Sequence, residues 1–307
     1  MSDRILVIKL SALGDFLVAI SSMQAIRKHH PNASICLLTT KPFAALAEKS
    51  KLFDEIFIDR RPRFSNLKEW LHLRKFLNDR NFSRVYDLQL NNRTSIYYKL
   101  FKRKPEWIGV IKQASHCFSH ADWRNMHAYQ RHVAILAEVG IYAAPPDLSW
   151  MKEESSSFSL PKPYVLLVPG SAPSHPEKRW PEMHFASLAR ELGKSGMHPV
   201  LVGTAADLSA INGILSIYPD IINLCGKTTL FDLAGLASEA LGAVGNDTGP
   251  THLIAMSGCP TVAIFSGSTS PSLSAPIGDK VAIVQENELK DLEPRNVFLR
   301  LKELVKL

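Results

Sequence analysis

Three short stretches hold the side chains best equipped for chemistry. The first, Ser11-Ala12-Leu13-Gly14-Asp15, follows the apolar run Ile5-Leu6-Val7-Ile8 and the residues Lys9 and Leu10. Gly14 suits a tight turn there, and Asp15 falls where a helix begins. A carboxylate in a first helical turn is favoured by the macrodipole, and it can equally serve as a general base; taken alone, the segment favours the capping role. The second stretch runs Val168-Pro169-Gly170-Ser171-Ala172-Pro173-Ser174-His175-Pro176-Glu177-Lys178-Arg179-Trp180-Pro181. A Gly/Ser/Pro loop of this kind, placed between a strand and a helix opened by Pro181, can offer backbone N–H groups, hydroxyls and Lys178 to a phosphate. The third is Val244-Gly245-Asn246-Asp247-Thr248-Gly249-Pro250-Thr251-His252. Asp247 and Thr248 are good N-cap types, and Gly249 lets a ligand approach the backbone. Two helix starts suited to anions, at the carboxyl edge of one sheet, suggest a diphosphate site.

Other chemistries lack their patterns. No G-x-G-x-x-G dinucleotide fingerprint and no G-x-x-x-x-G-K-[ST] phosphate loop occurs, and no Asp-x-Asp offers a carboxylate pair to a divalent ion. His116, Cys117, His120, His127 and His132 form the densest histidine stretch, but their spacing fits neither H-E-x-x-H nor a zinc finger. No metal site is expected, and diphosphate charge must be met by protein groups. Cys36, Cys117, Cys225 and Cys259 are widely spaced, without a C-x-x-C, and read as small buried side chains in a reducing compartment.

The elements that must position these stretches follow from hydrophobic periodicity. Short β-rich runs alternate with amphipathic helical stretches along the 307 residues, the pattern of parallel sheets with crossover helices. In the first half, strands are expected at 4–10, 34–39, 55–58, 84–88 and 107–110. A helix over 67–77 has Leu67, Trp70, Leu71, Arg74 and Leu77 on its stripe, with Arg74 the one charged exception, and another over 126–139 stops at Gly140. Pro145-Pro146, Ser155-Ser156-Ser157, Pro161 and Pro163 mark a linker over about 145–163. A second series places strands at 164–168, 199–202, 221–224, 241–245 and 261–265, with helices at about 181–195, 207–217, 230–238 and 250–257. The expected class is α/β: two Rossmann-like domains, residues 1–150 and 151–307, facing across a cleft.

Charge separates the two halves. Residues 1–160 hold 24 Lys and Arg against 15 Asp and Glu, whereas residues 161–307 hold 12 against 14, within an overall net charge of +7. Much of the excess sits at Arg60-Arg61-Pro62-Arg63, then at Arg93 and at Lys102-Arg103-Lys104. Such a field suits an anionic partner. The basic runs lack an RNA-binding or helix-turn-helix signature, so no nucleic acid is expected. No apolar run reaches the ~18–20 residues of a membrane span, and the first apolar run is too short for a secretory signal, so the chain is read as cytoplasmic.

Together the three stretches resemble the lipopolysaccharide heptosyltransferases of glycosyltransferase family 9. Lys9-Leu10-Ser11-Ala12-Leu13-Gly14-Asp15 matches that family's Lys-x-Ser-x-x-Gly-Asp. Pro169-Gly170 with Lys178-Arg179-Trp180-Pro181 matches its Pro-Gly loop and Lys-x-Trp-Pro, and Asp247 to His252 matches Asp-Thr-Gly-x-x-His. The resemblance implies a GT-B architecture, with the acceptor on the first domain and the nucleotide-sugar on the second. It further implies metal-independent inverting transfer from ADP-L-glycero-D-manno-heptose to the lipopolysaccharide inner core, with no cofactor. Asp15 would be the base. Lys178, with hydroxyls at Ser171 and Ser174, would meet donor phosphate, and Asp247, Thr248, Gly249 and His252 would surround the diphosphate and sugar. Arg60, Arg61, Arg63 and Arg93 would attract the anionic acceptor, with peripheral contact at the cytoplasmic face of the inner membrane. Two positions depart from the family: Pro173-Ser174 replaces the consecutive threonines of some members, and Phe231 stands where some have a ribose-binding glutamate. A nucleotide-sugar epimerase of the same fold and a non-catalytic nucleotide- or glycan-binding protein are the alternatives.

Overall fold

A computed structural model describes residues 3–152 and 158–307, so the Ser155–Ser157 part of the expected linker lies outside the described residues. The chain divides into two compact units, Met1–Asp147 and Leu148–Leu307. Each is built on a six-stranded, wholly parallel sheet.

The first unit contains β1 (Arg4–Ile8), β2 (Ser34–Thr39), β3 (Glu55–Ile58), β4 (Arg84–Asp87), β5 (Glu106–Gly109) and β6 (His116–Cys117), in the order β3-β2-β1-β4-β5-β6. Its helices are α1 (Leu13–His29), α2 (Ala44–Ser50), α3 (Leu67–Asp79), α4 (Asn92–Leu100) and α5 (Ala128–Ala137). Helices cover both faces of such a sheet, so its central strands are apolar without alternation, and Ile5 to Ile8 are all buried. Gly140, at φ +74°, closes the end of α5 in the left-handed conformation that glycine adopts without a Cβ penalty.

The second unit contains β7 (Tyr164–Val168), β8 (His198–Leu201), β9 (Ile222–Asn223), β10 (Gly242–Asn246), β11 (Thr261–Ser266) and β12 (Val281–Glu286), in the order β12-β11-β10-β7-β8-β9. Its helices are α6 (Glu182–Lys194), α7 (Leu208–Ile217), α8 (Leu230–Glu239), α9 (Gly249–Met256), the short α10 (Pro271–Ser274) and α11 (Pro294–Val305). Counted from its own first strand, each sheet has the order 3-2-1-4-5-6. The chain reverses direction across the sheet between β1 and β4 in one unit, and between β7 and β10 in the other. A crevice opens at such a switch point, beyond the carboxyl ends of the two strands, and ligands of doubly wound sheets bind there. All three sequence stretches lie at these points.

The apolar stripe expected over 67–77 does not face the core as a whole: Leu77 is buried and Trp70 half-buried, whereas Leu67, Leu71 and Arg74 face solvent. The side of α3 that meets the core carries Leu73, Phe76 and Leu77, packed with Phe82, Tyr97 and Trp107. At ~100° per residue, Leu67 and Leu71 lie about 120° or more from Leu73, so one face cannot hold both sets. Truncating Leu73 to Ala should cost ~2–5 kcal/mol in urea unfolding. Leu71→Ala should stay within about 0.5 kcal/mol of wild type.

Candidate functional site

In the second unit, the loop after β7 and the start of α9 after β10 meet around one buried amide. Asn246, the last residue of β10, is fully buried; its Nδ2 donates to the Pro169 carbonyl at 2.8 Å, and its Oδ1 accepts the Trp180 N–H at 3.2 Å. Its own carbonyl accepts the Thr251 hydroxyl at 2.7 Å, which fastens α9 to the same strand end. Gly245 makes that approach possible, since a Cβ there would stand 2.4 Å from Thr251 Oγ1 and 2.8 Å from Val168 Cβ. Trp180 is buried and donates through Nε1 to the Leu292 carbonyl at 3.0 Å, anchoring the far end of the loop in the core.

On that frame, Lys178 Nζ donates to Asp247 Oδ2 at 2.8 Å, and His252 Nε2 lies 3.7 Å from Asp247 Oδ1. Burial is the largest influence on Asp247 and opposes its ionisation. The pull of His252 and the hydrogen bond and charge of Lys178 together overcome it, holding the carboxyl below the usual carboxylate range. An ammonium has three donors, so Lys178 keeps two beyond the one that Asp247 takes. Thr248 occupies the N-cap of α9, yet its side chain does not cap: the hydroxyl turns to the Asn246 carbonyl at 3.3 Å. The first-turn N–H groups of α9 therefore lack a side-chain partner from their own cap, which is the arrangement that receives an anion.

The loop residues have distinct jobs. The Ser171 hydroxyl donates to the His175 carbonyl at 3.0 Å and accepts from Arg179 Nε at 2.9 Å, so it stitches the loop together. Ser174 is exposed and its hydroxyl makes no hydrogen bond among the described residues. Pro181 sits at the N-cap of α6 instead of its first helical position. Asn246 and Arg179 hold this site in shape; both stand inside the motifs, but nothing in residue type alone shows which polar side chain points inward.

In the first unit, the loop between β1 and α1 lies against the end of β4. Gln89 Oε1 accepts the N–H groups of Leu10 at 2.7 Å and Ser11 at 3.1 Å. Asp87 Oδ1 accepts those of Gln89 and Leu90, each at 3.0 Å, and Leu90 takes a left-handed φ of 53°. Lys9 Nζ and His132 Nε2 both reach the Leu88 carbonyl at 3.0 Å. Burial pushes Lys9 down to about 8, although Asp15 and Asp87 act the other way, and burial pushes Asp87 up to about 6 against its hydrogen bonds and the charge of Lys9. Asp15 is exposed at the third position of α1, where Oδ2 accepts the Ala12 N–H at 3.3 Å; Ala12 is the N-cap. Gly14 lies inside the first turn of α1 and not in a left-handed turn.

The histidine stretch disperses. His116 pairs with Glu106, His127 caps α5 through the Tyr129 N–H, and His132 serves the Leu88 carbonyl. Among the described residues, no three His, Cys, Asp or Glu side chains are grouped to hold a metal ion. Cys36, Cys225 and Cys259 are buried, Cys117 is half-buried, and all four are unpaired.

The four candidate arginines also differ. Arg93 is half-buried and committed: it donates to Tyr97 Oη at 3.1 Å and to the Pro62 carbonyl at 3.2 Å, while Tyr97 donates to the buried Asp59 carboxylate. Arg60 pairs with Glu69 at 2.9 Å yet remains largely exposed, and Arg61 and Arg63 are exposed. Arg93 is thus a strut that shapes the loop carrying the other three.

A carboxyl held low in the folded state, against ~3.9 unfolded, adds stability that is complete above pH ~4 and is lost as pH falls through the folded value. The stability difference between wild type and Asp247→Asn, measured by urea unfolding, should be flat from about pH 7 to 5.5 and shrink below about pH 4. A difference independent of pH would show that Lys178 does not stabilise the Asp247 anion.

The family model for glycosyltransferase family 9 (heptosyltransferase) matches residues 70–301. Lipopolysaccharide heptosyltransferase 2 of Salmonella typhimurium is 25% identical over 92% of this chain and 88% of its own length. Among solved structures, a glycosyl transferase family 9 protein from Veillonella parvula superposes with a TM-score of 0.83 at 22% identity, covering 100% of this chain and 98% of that one. The E. coli heptosyltransferase WaaC with ADP-2-deoxy-2-fluoro heptose gives 0.75 at 20% identity, over 98% and 99% of the two chains. These likenesses are of fold, the paired-sheet GT-B architecture. The family match spans well over half of the residues, including both second-unit motifs, and the chain therefore belongs to glycosyltransferase family 9, the heptosyltransferases.

Proposed function

We propose that this glycosyltransferase moves a heptose from ADP-L-glycero-D-manno-heptose to the inner core of lipopolysaccharide, with inversion and without a metal ion, at the cytoplasmic side of the inner membrane. The observation that carries this reading is the second unit's switch point, where Lys178, fixed by Asp247, stands beside an α9 terminus whose cap leaves its N–H groups available. Support for the donor comes from the E. coli relative bound to an ADP-heptose analogue, and support for the acceptor from the Salmonella relative's name.

Inverting transfer takes a proton from an acceptor hydroxyl while its oxygen attacks the anomeric carbon opposite the leaving diphosphate. Asp15 is our base: Oδ2 holds the Ala12 N–H, which leaves Oδ1 for the hydroxyl proton. As the bond to the diphosphate breaks, charge builds on its oxygen. Lys178, the Ser174 hydroxyl and the N–H groups at Thr248 and Gly249 meet it, and preorganised donors of this kind contribute ~10²–10³ each. Arg60, Arg61 and Arg63 supply the field for an acidic acceptor.

Asp15→Asn is the deciding substitution. The Asn carbonyl can still accept the Ala12 N–H, so α1 should lose only a macrodipole contribution of ~0.3–1 kcal/mol. The amide cannot take a proton, and kcat should fall by ~10²-fold or more with donor affinity and Tm nearly unchanged. Near-wild-type turnover would remove Asp15 as the base.

The metal-free reading has its own test. Turnover in EDTA should equal turnover in Mg²⁺, and loss in chelator with recovery on adding Mg²⁺ or Mn²⁺ would overturn it.

A further inference from the structure

Phe64, Leu67 and Leu71 are 81%, 70% and 56% exposed, three large apolar side chains within eight residues. Single exposed apolar residues are ordinary on a soluble protein, but a cluster needs an explanation. Leu67 and Leu71 lie one turn apart on α3, and at ~100° per residue Lys68, Arg74 and Lys75 fall on the same half of the helix, opposite the buried Leu73 and Phe76. All three of those cations are exposed, as are Arg60, Arg61 and Arg63 just before the helix. Over residues 60–75 there are six Lys and Arg, and Glu69, paired with Arg60, is the one acidic residue.

The patch is also held rigidly. Phe64 stacks on Trp70 at 6.1 Å, and Trp70 Nε1 donates to the Arg63 carbonyl at 3.0 Å. The Arg93 guanidinium lies 5.8 Å from the Trp70 ring and also grips the Pro62 carbonyl. The apolar tip is therefore presented on a fixed platform instead of being left to collapse against the surface.

From this surface we infer that Phe64, Leu67 and Leu71 insert into the headgroup region of an anionic lipid bilayer, with the surrounding lysines and arginines on lipid phosphates. Apolar side chains ringed by cations, on a helix lying parallel to the surface, match the chemistry of such an interface: the apolar groups enter the acyl boundary and the charges remain at headgroup level. A protein partner would need acidic complements to the five cations other than Arg60, which Glu69 already pairs, and a bilayer surface supplies them without specific pairing. The inference deepens the proposed function by naming the surface that would bring the enzyme to a lipid-linked acceptor. It rests on that reading for its purpose alone, since the contact requires neither donor nor acceptor.

Purified full-length protein is centrifuged with sucrose-loaded vesicles of phosphatidylcholine alone, or with about 30% phosphatidylglycerol, both free of lipopolysaccharide. The wild type should sediment with the anionic vesicles and not with the neutral ones, and added salt should release it. A Phe64→Ser/Leu67→Ser/Leu71→Ser variant should partition roughly tenfold more weakly or worse while keeping its Tm and its turnover on a water-soluble, delipidated acceptor. Equal binding by wild type and variant would overturn the proposal, because charge alone would then suffice. Binding that appears only when lipopolysaccharide is added would assign the patch to the acceptor's own chains and overturn it too. Self-association of the wild type, abolished in the variant and with no vesicle binding, would assign the face to a second copy and likewise overturn it. Because the vesicles hold no substrate, failure here leaves the transferase reading untouched, and failure of the Asp15 test leaves this one untouched.

Discussion

A parallel sheet whose chain reverses direction at its middle cannot close its own edge there. The connections leaving β1 and β4 go to opposite faces, as do those leaving β7 and β10, and the gap between them must be filled by loops and helix starts. The polar arrangements around Asn246 and Gln89 answer this constraint. In the second unit, Asn246 spans the gap, joining the strand end, the Pro169 carbonyl and the Trp180 N–H with one amide. In the first, Gln89 does so from the other side, reaching from beyond β4 to the N–H groups that follow β1.

The two gaps contain the same pair of charges under different conditions. Each has a lysine beyond the first strand and an aspartate at or just beyond the end of the fourth: Lys9 with Asp87, and Lys178 with Asp247. Lys9 and Asp87 are both fully enclosed, and burial moves each toward its neutral form; Lys9 donates to the Leu88 carbonyl inside that enclosure, away from solvent. Lys178 is partly open to solvent, touches its aspartate directly and retains unused donors. One pair therefore braces a loop, and the other can meet a ligand. The difference comes from how far each lysine is from its strand: Lys9 follows β1 immediately, whereas the nine residues 169–177 carry Lys178 away from β7.

Much of this could be read in the sequence because the main signals are local. The apolar runs at 34–39 and 164–168 give β2 and β7 at their true limits, since a strand covered on both faces is a continuous apolar segment bounded by polar residues, and Ile56-Phe57-Ile58 marks the half-buried edge strand β3 as well. The other edge strands carry weaker signals. β6 is two residues long, β12 mixes Gln285 and Glu286 into its run, and none of β6, β12, α4 and α11 stood out from their surroundings. The stripe on α3 misled for a different reason: periodicity shows which residues share a face, but it cannot show whether that face meets the core or the solvent. Asp15 is a similar case. Its place near a helix start was legible, but its grip on the Ala12 N–H from the third position depends on where the helix begins, which is the least certain feature of any sequence reading.

The charge balance of the second site bears on how a donor could be held. Lys178 and Asp247 together carry no net charge, so the pair offers a diphosphate little long-range attraction. What it offers is placement. Asp247 is fixed by burial and by its neighbour His252, and it holds the ammonium at one point while leaving two of its three N–H donors for phosphate oxygens. On the proposed reading, capture would then depend on the N–H groups at the start of α9, which bear partial positive charge and have no counter-ion to displace. A lysine without its aspartate would attract the diphosphate more strongly but would be free to follow it in any pose. In the proposed transfer, the buried carboxylate would exchange part of that affinity for a fixed direction of approach, and direction is what in-line displacement at an anomeric carbon requires.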